Sequence, residues 1–210
     1  MKYKAVMFDL DGTLVHTDSE CIYYMASRAF SDLGETLSKN EIDKFWFDHK
    51  REDFIKEKGL DIKSFWKTYK KYDTLELRKQ YLKPYKDTDF IHELKKRGYK
   101  LGIVTGAPRH IIALSTEILG KENFDAIVRA QLTSGIKPKP DPQGIEECLK
   151  IMKIKNYDSV FVGNGDEDTL AARAAAVEDV LILRDEHNLI EIEPSFTISS
   201  LYGLRDVVHI

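Results

Sequence analysis

The sequence predicts an α/β protein in which a parallel sheet is covered by helices on both faces and an all-helical domain is inserted after the first strand. Two observations predict this class. From residue 85 onwards, short apolar runs alternate with segments of helix length, the pattern of strands joined by crossover helices. Between about residues 41 and 83 the pattern is instead helical and contains no convincing strand.

The individual elements can be placed in order along the chain. The first buried strand spans residues 3–8, and a helix with one apolar face runs from Asp18 to a stop at Gly34. Two aromatic-rich helices follow within 41–83, and their rings are predicted to form the core of a small bundle. Later strands are predicted at 100–105, 126–129, 159–163 and 179–183, and later helices at 88–97, 108–119, 142–152 and 168–176, before a tail that repeats the pattern.

Pro84 marks the boundary between the two regions. We predict that residues 1–16 and 85–210 form the α/β domain, with a Rossmann-like sheet, and that 17–84 form a helical cap domain. A chain of 210 residues is long enough to bury a substantial core in such an arrangement.

Charge and composition exclude several classes of protein. The net charge is −3, whereas proteins that bind polyanions are usually basic, so nucleic acid is not an expected partner. No stretch approaches eighteen apolar residues, and the opening MKYKAVMFDLDG reaches carboxylates too soon for a signal peptide. The two cysteines, Cys21 and Cys148, lack metal-like neighbours. We expect a cytoplasmic protein without membrane contact, as a monomer or small homo-oligomer.

The first strand ends in two carboxylates. Asp9 and Asp11 are two residues apart on an extended segment and would point the same way, which is unfavourable unless a cation lies between them or one is protonated. Gly12 permits a tight turn directly afterwards, and Thr13 supports it. The alternative interpretation is an Asp-Gly turn that caps a helix.

Polar groups also follow three later strands. Thr105 and Gly106 could bind an anion where a helix begins, and alternate prolines could hold Lys137 at a fixed position. Asn164 and Asp168 could supply hard oxygen ligands for Mg²⁺. Taken singly, each has an ordinary alternative: a common Thr-Gly turn, a solvated proline-rich turn, or an N-cap. Together, at successive strand ends, they predict phosphoryl transfer.

These motifs resemble those of the haloacid dehalogenase (HAD) superfamily, in the same order and over essentially the whole chain. DLDGTLVHTD resembles the first motif, Thr105 the second, Lys137 in KPKPD the third, and GNGDEDTLAARAAA a variant of the fourth. The inserted helices resemble the small cap of the phosphoglycolate phosphatase and β-phosphoglucomutase-like branch.

The resemblance implies a phosphatase mechanism. Asp9 would attack phosphorus and form an aspartyl-phosphate, and Asp11 would act as general acid and then as general base. Thr105 and the Gly106 backbone would bind the phosphoryl oxygens, and Lys137 would neutralise their charge.

The resemblance also implies a magnesium cofactor. Mg²⁺ would be held by the Asp9 side chain, the Asp11 carbonyl and the fourth motif, through Asn164 and Asp168. The family usually has Asp where this chain has Asn164, so we expect weaker metal binding, which Asp166 or Glu167 could offset.

Two further residues are weighed beside these. Lys139 is a rival for the third-motif lysine, but the pattern Lys-Pro-x-Pro-Asp favours Lys137. His16 stands where relatives often have Asp, and a surface or hinge role is favoured over catalysis.

The leading functional hypothesis is Mg²⁺-dependent hydrolysis of a small phosphorylated metabolite, a phosphomonoester. The alternatives are a phosphosugar mutase with the same first step and a catalytically weakened protein that binds a phosphate metabolite. Asn164 is the feature that favours the weakened binder.

Overall fold

The computed structural model describes residues 2–48, 50–184 and 190–210. The chain divides into two compact units, one formed by residues 1–16 and 84–210 and the other by residues 17–83.

The first unit contains a parallel sheet of six strands in the order β5-β4-β1-β6-β7-β8. Its strands are β1 (Ala5–Phe8), β4 (Lys100–Thr105), β5 (Ala126–Arg129), β6 (Ser159–Gly163), β7 (Glu178–Ile182) and β8 (Phe196–Ile198). The short strands β2 (Val15–Thr17) and β3 (Leu82–Pro84) pair separately in a two-stranded sheet. The predicted parallel α/β fold is confirmed.

Along the chain, helices lie between the strands of the main sheet, and a last one follows β8. They are α6 (Phe90–Lys96), α7 (Arg109–Leu119), α8 (Gln143–Met152), α9 (Asp166–Ala174) and α10 (Leu204–Val208). Strand β1 is buried along its whole length, as its apolar sequence predicts. Met7 packs with residues of α8 and α9 in one apolar cluster, which includes Cys148 and Ala171.

The second unit is helical. It contains α1 (Ser19–Ser31), α2 (Lys39–Phe47), α3 (Arg51–Glu57), α4 (Ile62–Tyr69) and α5 (Leu75–Tyr81). Its core is aromatic: the rings of Phe30, Phe45 and Phe65 lie within 5.4 Å of one another, centroid to centroid. The prediction that the aromatic residues form a bundle core is confirmed.

Among the described residues of the range 39–83, the structure has four helices, α2 to α5, where the sequence analysis expected two between residues 41 and 83. These helices are short, and the last two, α4 and α5, each begin at a side-chain cap. Asp61 accepts a hydrogen bond from the amide of Ser64, and Thr74 accepts one from the amide of Leu77. These caps restart the helix after brief interruptions that the apolar pattern alone does not reveal.

No helix in the described part of the chain is both long and apolar enough to cross a bilayer.

Candidate active site

Three of the predicted site residues lie at the carboxyl edge of the sheet. Asp9 follows β1, Thr105 ends β4, and Asn164 follows β6. Strand β1 lies between β4 and β6, so these three strand ends are neighbours. The strand order also changes direction here, because β4 and β5 lie on one side of β1 and β6, β7 and β8 lie on the other. At such a point α/β proteins open a crevice for ligands.

A tight turn follows Asp9. The amide of Asp9 continues the sheet by donating to the Val162 carbonyl at 2.8 Å, and the Gly12 amide donates to the Val15 carbonyl at 2.7 Å. Gly12 has a φ of +78°, and a β-carbon there would lie 2.3 Å from Nδ2 of Asn164. Only glycine fits this turn, because both the backbone angle and the neighbouring amide exclude a side chain.

Lys139 lies between two buried carboxylates. Its Nζ is 2.6 Å from Oδ1 of Asp9 and 2.5 Å from Oδ1 of Asp168, and none of the three side chains is more than 10% exposed. The other oxygen of Asp168 accepts hydrogen bonds from the amides of Asn164 at 3.0 Å and Gly165 at 3.2 Å. Asp168 therefore fixes both the lysine and the loop after β6.

Burial governs the electrostatics of this group. The pKa of Asp9 is raised to about 7, chiefly by burial. The Lys139 ammonium lowers this pKa, and the charges of Asp168 and Asp11 contribute to raising it. Burial would lower the pKa of Lys139, but the carboxylates of Asp168 and Asp9 outweigh it and raise the pKa. A second cation beside Asp9 would therefore favour its ionised, nucleophilic form.

The structure corrects the choice between the two lysines. The Lys137 side chain is 66% exposed and pairs with Asp141 at 3.2 Å, whereas Lys139 contacts Asp9. The physical reason is a repeated motif: Lys137-Pro-Lys-Pro and Lys139-Pro-Asp-Pro both satisfy Lys-Pro-x-Pro, and the fold uses the second. The structure therefore places Lys139 beside Asp9, two residues after the lysine that the motif pattern favoured.

The loop after β4 is compact. Thr105 is 2% exposed, and its Oγ1 accepts a hydrogen bond from the Ala107 amide at 3.1 Å. The Gly106 carbonyl accepts from Nε2 of Gln131 at 2.7 Å, and the Ala107 carbonyl accepts from Nε of Arg129 at 3.0 Å. The carbonyls of this loop are thus turned towards the end of β5.

The predicted metal ligands separate into two groups. Within residues 2–48, 50–184 and 190–210, no three His, Cys, Asp or Glu side chains are grouped as a metal site. Oδ1 of Asn164 accepts a hydrogen bond from Oγ1 of Thr13 at 3.3 Å, beside the turn that follows Asp9. The Asp9 carboxylate, the Asn164 amide oxygen and the Asp11 carbonyl are hard donors that fit Mg²⁺. Asp168 does not belong with them, because its oxygens already hold Lys139 and two amides.

The two extra acids of the fourth motif have other roles. The Asp166 carboxylate is 4% exposed and accepts hydrogen bonds from the amides of Glu191 at 2.9 Å and Ile192 at 3.1 Å. It therefore anchors the segment before β8 and does not compensate for Asn164. Burial lowers the pKa of Lys139, and Asp168 and Asp9 raise it. Glu167, which is half-buried, also raises this pKa, but by less than the other two carboxylates. The His16 ring lies 4.8 Å from that of Tyr85.

Sequence analysis missed Arg184, which supports the turn after Asp9. Its Nη2 donates to the Thr13 carbonyl at 2.6 Å, and its Nη1 lies 2.8 Å from Oδ2 of Asp87. Its guanidinium carbon also lies 3.9 Å from the Tyr85 ring centroid. Arg184 comes two residues after β7, so the strand-end rule that found the other site residues could also have found it.

Comparison with known proteins assigns the family. The model of haloacid dehalogenase-like hydrolases matches residues 6–182, so the chain belongs to this family. The assignment to a HAD-type phosphatase is confirmed for the family and for the hydrolase class.

Individual relatives cover almost the whole chain. It is 27% identical to the pyrophosphatase PpaX of Halalkalibacterium halodurans, over 99% of this chain and 98% of the other. It is 26% identical to the HAD phosphatase of Thermococcus onnurineus, with a TM-score of 0.67 and coverage of 98% and 97%. A protein of Haemophilus somnus described as a predicted phosphoglycolate phosphatase has a TM-score of 0.79 at 20% identity, with 99% of both chains covered.

Proposed function

We propose that this protein hydrolyses a small phosphomonoester through an aspartyl-phosphate formed on Asp9. One observation carries the proposal: the Asp9 carboxylate is buried at the carboxyl edge of the sheet and held through Oδ1 by Lys139. Among the residues that the structure describes, its Oδ2 has no hydrogen-bond partner. That oxygen is the proposed nucleophile.

The reaction has two steps. Oδ2 of Asp9 attacks phosphorus while the bond from phosphorus to the ester oxygen breaks, and Asp11 donates a proton to the leaving alcohol. A water molecule then attacks the aspartyl-phosphate, Asp11 takes the proton of that water, and inorganic phosphate and free Asp9 are released. Lys139 and the Thr105 loop supply positive charge and hydrogen-bond donors for the transferred group.

Asp9, Asn164 and the Asp11 carbonyl would hold Mg²⁺. When bound, the metal lessens the repulsion between the Asp9 carboxylate and an anionic substrate. Asn164 binds through a neutral oxygen, so we expect a lower metal affinity than an aspartate would give.

We propose that the helical unit, residues 17–83, is the cap that selects the substrate. The similarity to PpaX makes inorganic pyrophosphate a second candidate substrate, because the same attack on phosphorus then releases phosphate as the leaving group. A small phosphorylated metabolite as partner and a cytoplasmic location remain part of the proposal. The two free cysteines, Cys21 and Cys148, are both buried, which suits a reducing compartment.

Turnover of an aryl phosphate with Mg²⁺ tests the proposal, with wild-type protein compared with Asp9→Asn. We expect the variant to lose at least roughly a thousandfold in rate, because an amide cannot replace the nucleophile. Asp158→Asn is the matched control. Asp158 pairs with Lys4, which precedes β1, so this carboxylate lies at the end of β1 opposite to Asp9. Equal rates for Asp9→Asn and wild type, or no turnover by either, would favour the weakened binding protein.

A further inference from the structure

The loop of residues 105–107 is held by two side chains that the proposed chemistry does not use. Nε2 of Gln131 donates to the Gly106 carbonyl at 2.7 Å, and Nε of Arg129 donates to the Ala107 carbonyl at 3.0 Å. Arg129 is the last residue of β5 and is paired in register with the first residue of the loop. The end of the edge strand therefore supports the loop that begins the proposed phosphate site.

The hydrogen bond from Gln131 fixes the direction of one peptide group. Because a trans peptide is planar, its carbonyl and its N–H point in opposite directions. When the Gly106 carbonyl faces Gln131, the Ala107 N–H faces the other way, and there it donates to Oγ1 of Thr105 at 3.1 Å. A hydroxyl that accepts this bond still has its own hydrogen to donate to an anion.

Arg129 is itself held in place. Its Nη1 donates to Oγ1 of Thr133 at 2.8 Å and to Oγ of Ser134 at 2.9 Å. Gln131 is half-buried, and its amide nitrogen lies 3.5 Å from the point where a β-carbon on Gly106 would be. Arg129 is therefore ordered by contacts of its own, and Gln131 lies close against Gly106.

We propose that Gln131 is a positioning residue for phosphate binding, with Arg129 as its second support. Gln131 turns the Gly106–Ala107 peptide so that the Ala107 N–H donates to Oγ1 of Thr105, which leaves the hydrogen of the Thr105 hydroxyl free to be directed at the phosphoryl oxygens. This inference rests on the proposed function, but it concerns residues outside the four motifs.

The test is the inhibition constant Ki of inorganic phosphate for Gln131→Met, which keeps the side-chain length and removes the donor. We expect Ki and KM to rise roughly threefold to tenfold, the effect of losing one hydrogen bond. Gln80→Met is the matched control, because Nε2 of Gln80 also donates to a main-chain carbonyl, that of Glu76, at 3.3 Å but within the helical unit. Its Ki should match that of the wild type.

A purely structural role would give a different result. It would lower the melting temperature Tm and the fraction of active enzyme, and hence the apparent kcat, but would leave Ki unchanged. Gln131→Glu is a second variant that replaces the donor with an acceptor beside the Gly106 carbonyl, and we expect a larger rise in Ki than for Gln131→Met. Equal Ki values for Gln131→Met, Gln80→Met and wild type would overturn the inference.

The inference can be separated from the proposed function. If the wild-type protein shows no turnover, the proposed function fails, and stabilisation by inorganic phosphate with Mg²⁺ becomes the readout. A smaller phosphate-induced rise in Tm for Gln131→Met than for Gln80→Met would then still support the positioning role, and equal rises would overturn it.

Discussion

At the scale of single residues, Lys139 carries one positive charge between Asp9 and Asp168, with all three side chains largely buried. When Asp9 is ionised, two carboxylates share one ammonium, so the group then has an excess of negative charge. Such an arrangement suits a site that must attract a divalent cation and then a phosphoryl group.

Lys139→Met should destabilise the protein by about 3 kcal/mol, because it leaves two buried carboxylates without their counter-charge. Lys137→Met is the matched control: the Lys137 side chain is 66% exposed, so its ion pair contributes little. Urea unfolding at neutral pH measures the free energy of unfolding of both variants. A similar loss of stability for the two variants would contradict the assignment of Lys139 to the site.

Asn164→Asp should increase the stabilisation of the protein by Mg²⁺. The new carboxylate adds a negative charge beside the turn after Asp9, which lowers stability without metal and strengthens metal binding. The rise in Tm between metal-free and Mg²⁺-saturated protein is the measurement, and the Mg²⁺ concentration for half-maximal turnover should fall in parallel. An unchanged metal response would show that residue 164 is not a ligand.

At the scale of the elements, Asp125 joins the start of β5 to the start of β4 and to α6. It contacts Nζ of Lys100 at 2.8 Å and Nζ of Lys95 at 2.9 Å, and it accepts a hydrogen bond from the Leu101 amide at 2.9 Å. Burial would raise the pKa of Asp125, but the hydrogen bonds from Lys100, Lys95 and Leu101 outweigh it and lower the pKa to about 2.

Asp125→Asn should therefore cost roughly 2 kcal/mol of stability at pH 7. Because the folded pKa lies below the unfolded one, the stabilisation is complete above about pH 4 and is lost as the pH falls towards 2. Unfolding free energies at pH 7 and pH 3 should show the difference between variant and wild type shrinking in acid. Asp53→Asn, in an exposed pair with Lys56, should change stability little at either pH.

Strands and the site edge could be predicted because the apolar runs are unambiguous and parallel strands bring their ends together. The number of helices in the second unit could not be predicted, because caps such as Asp61 and Thr74 interrupt an otherwise continuous aromatic pattern. The choice of Lys139 was also beyond the sequence, because a repeated Lys-Pro satisfies two registers and only the folded loop decides between them.

At the scale of the whole molecule, Asp87 ties distant parts of the first unit together. Its carboxylate pairs with Arg184 at 2.8 Å and accepts hydrogen bonds from Oγ of Ser200 and the amide of Leu201, both at 2.8 Å. Arg184 in turn holds the Thr13 carbonyl. Four segments that are far apart in sequence therefore depend on one buried ion pair, and no single motif would reveal it.

Asp87→Asn should lower the unfolding free energy by about 3 to 5 kcal/mol, because Arg184 is left buried without its partner. Asp89→Asn provides the comparison, since Asp89 accepts an exposed hydrogen bond from the Tyr202 hydroxyl and its loss should cost under about 1 kcal/mol. Chemical denaturation of both variants gives the two losses of unfolding free energy to be compared. Equal losses would mean that the buried pair does not hold the unit together.

The position of β1 in the sheet has a consequence for how the protein is made. Ala5 pairs with Lys100 on one side and with Ser159 on the other, so β1 is synthesised well before both of the strands that flank it. During translation this apolar segment leaves the ribosome long before either neighbour exists. Asp9, which follows β1, can take its place only after the residues of β6, up to Gly163, have emerged, and until then the nascent chain must keep an apolar strand from aggregating.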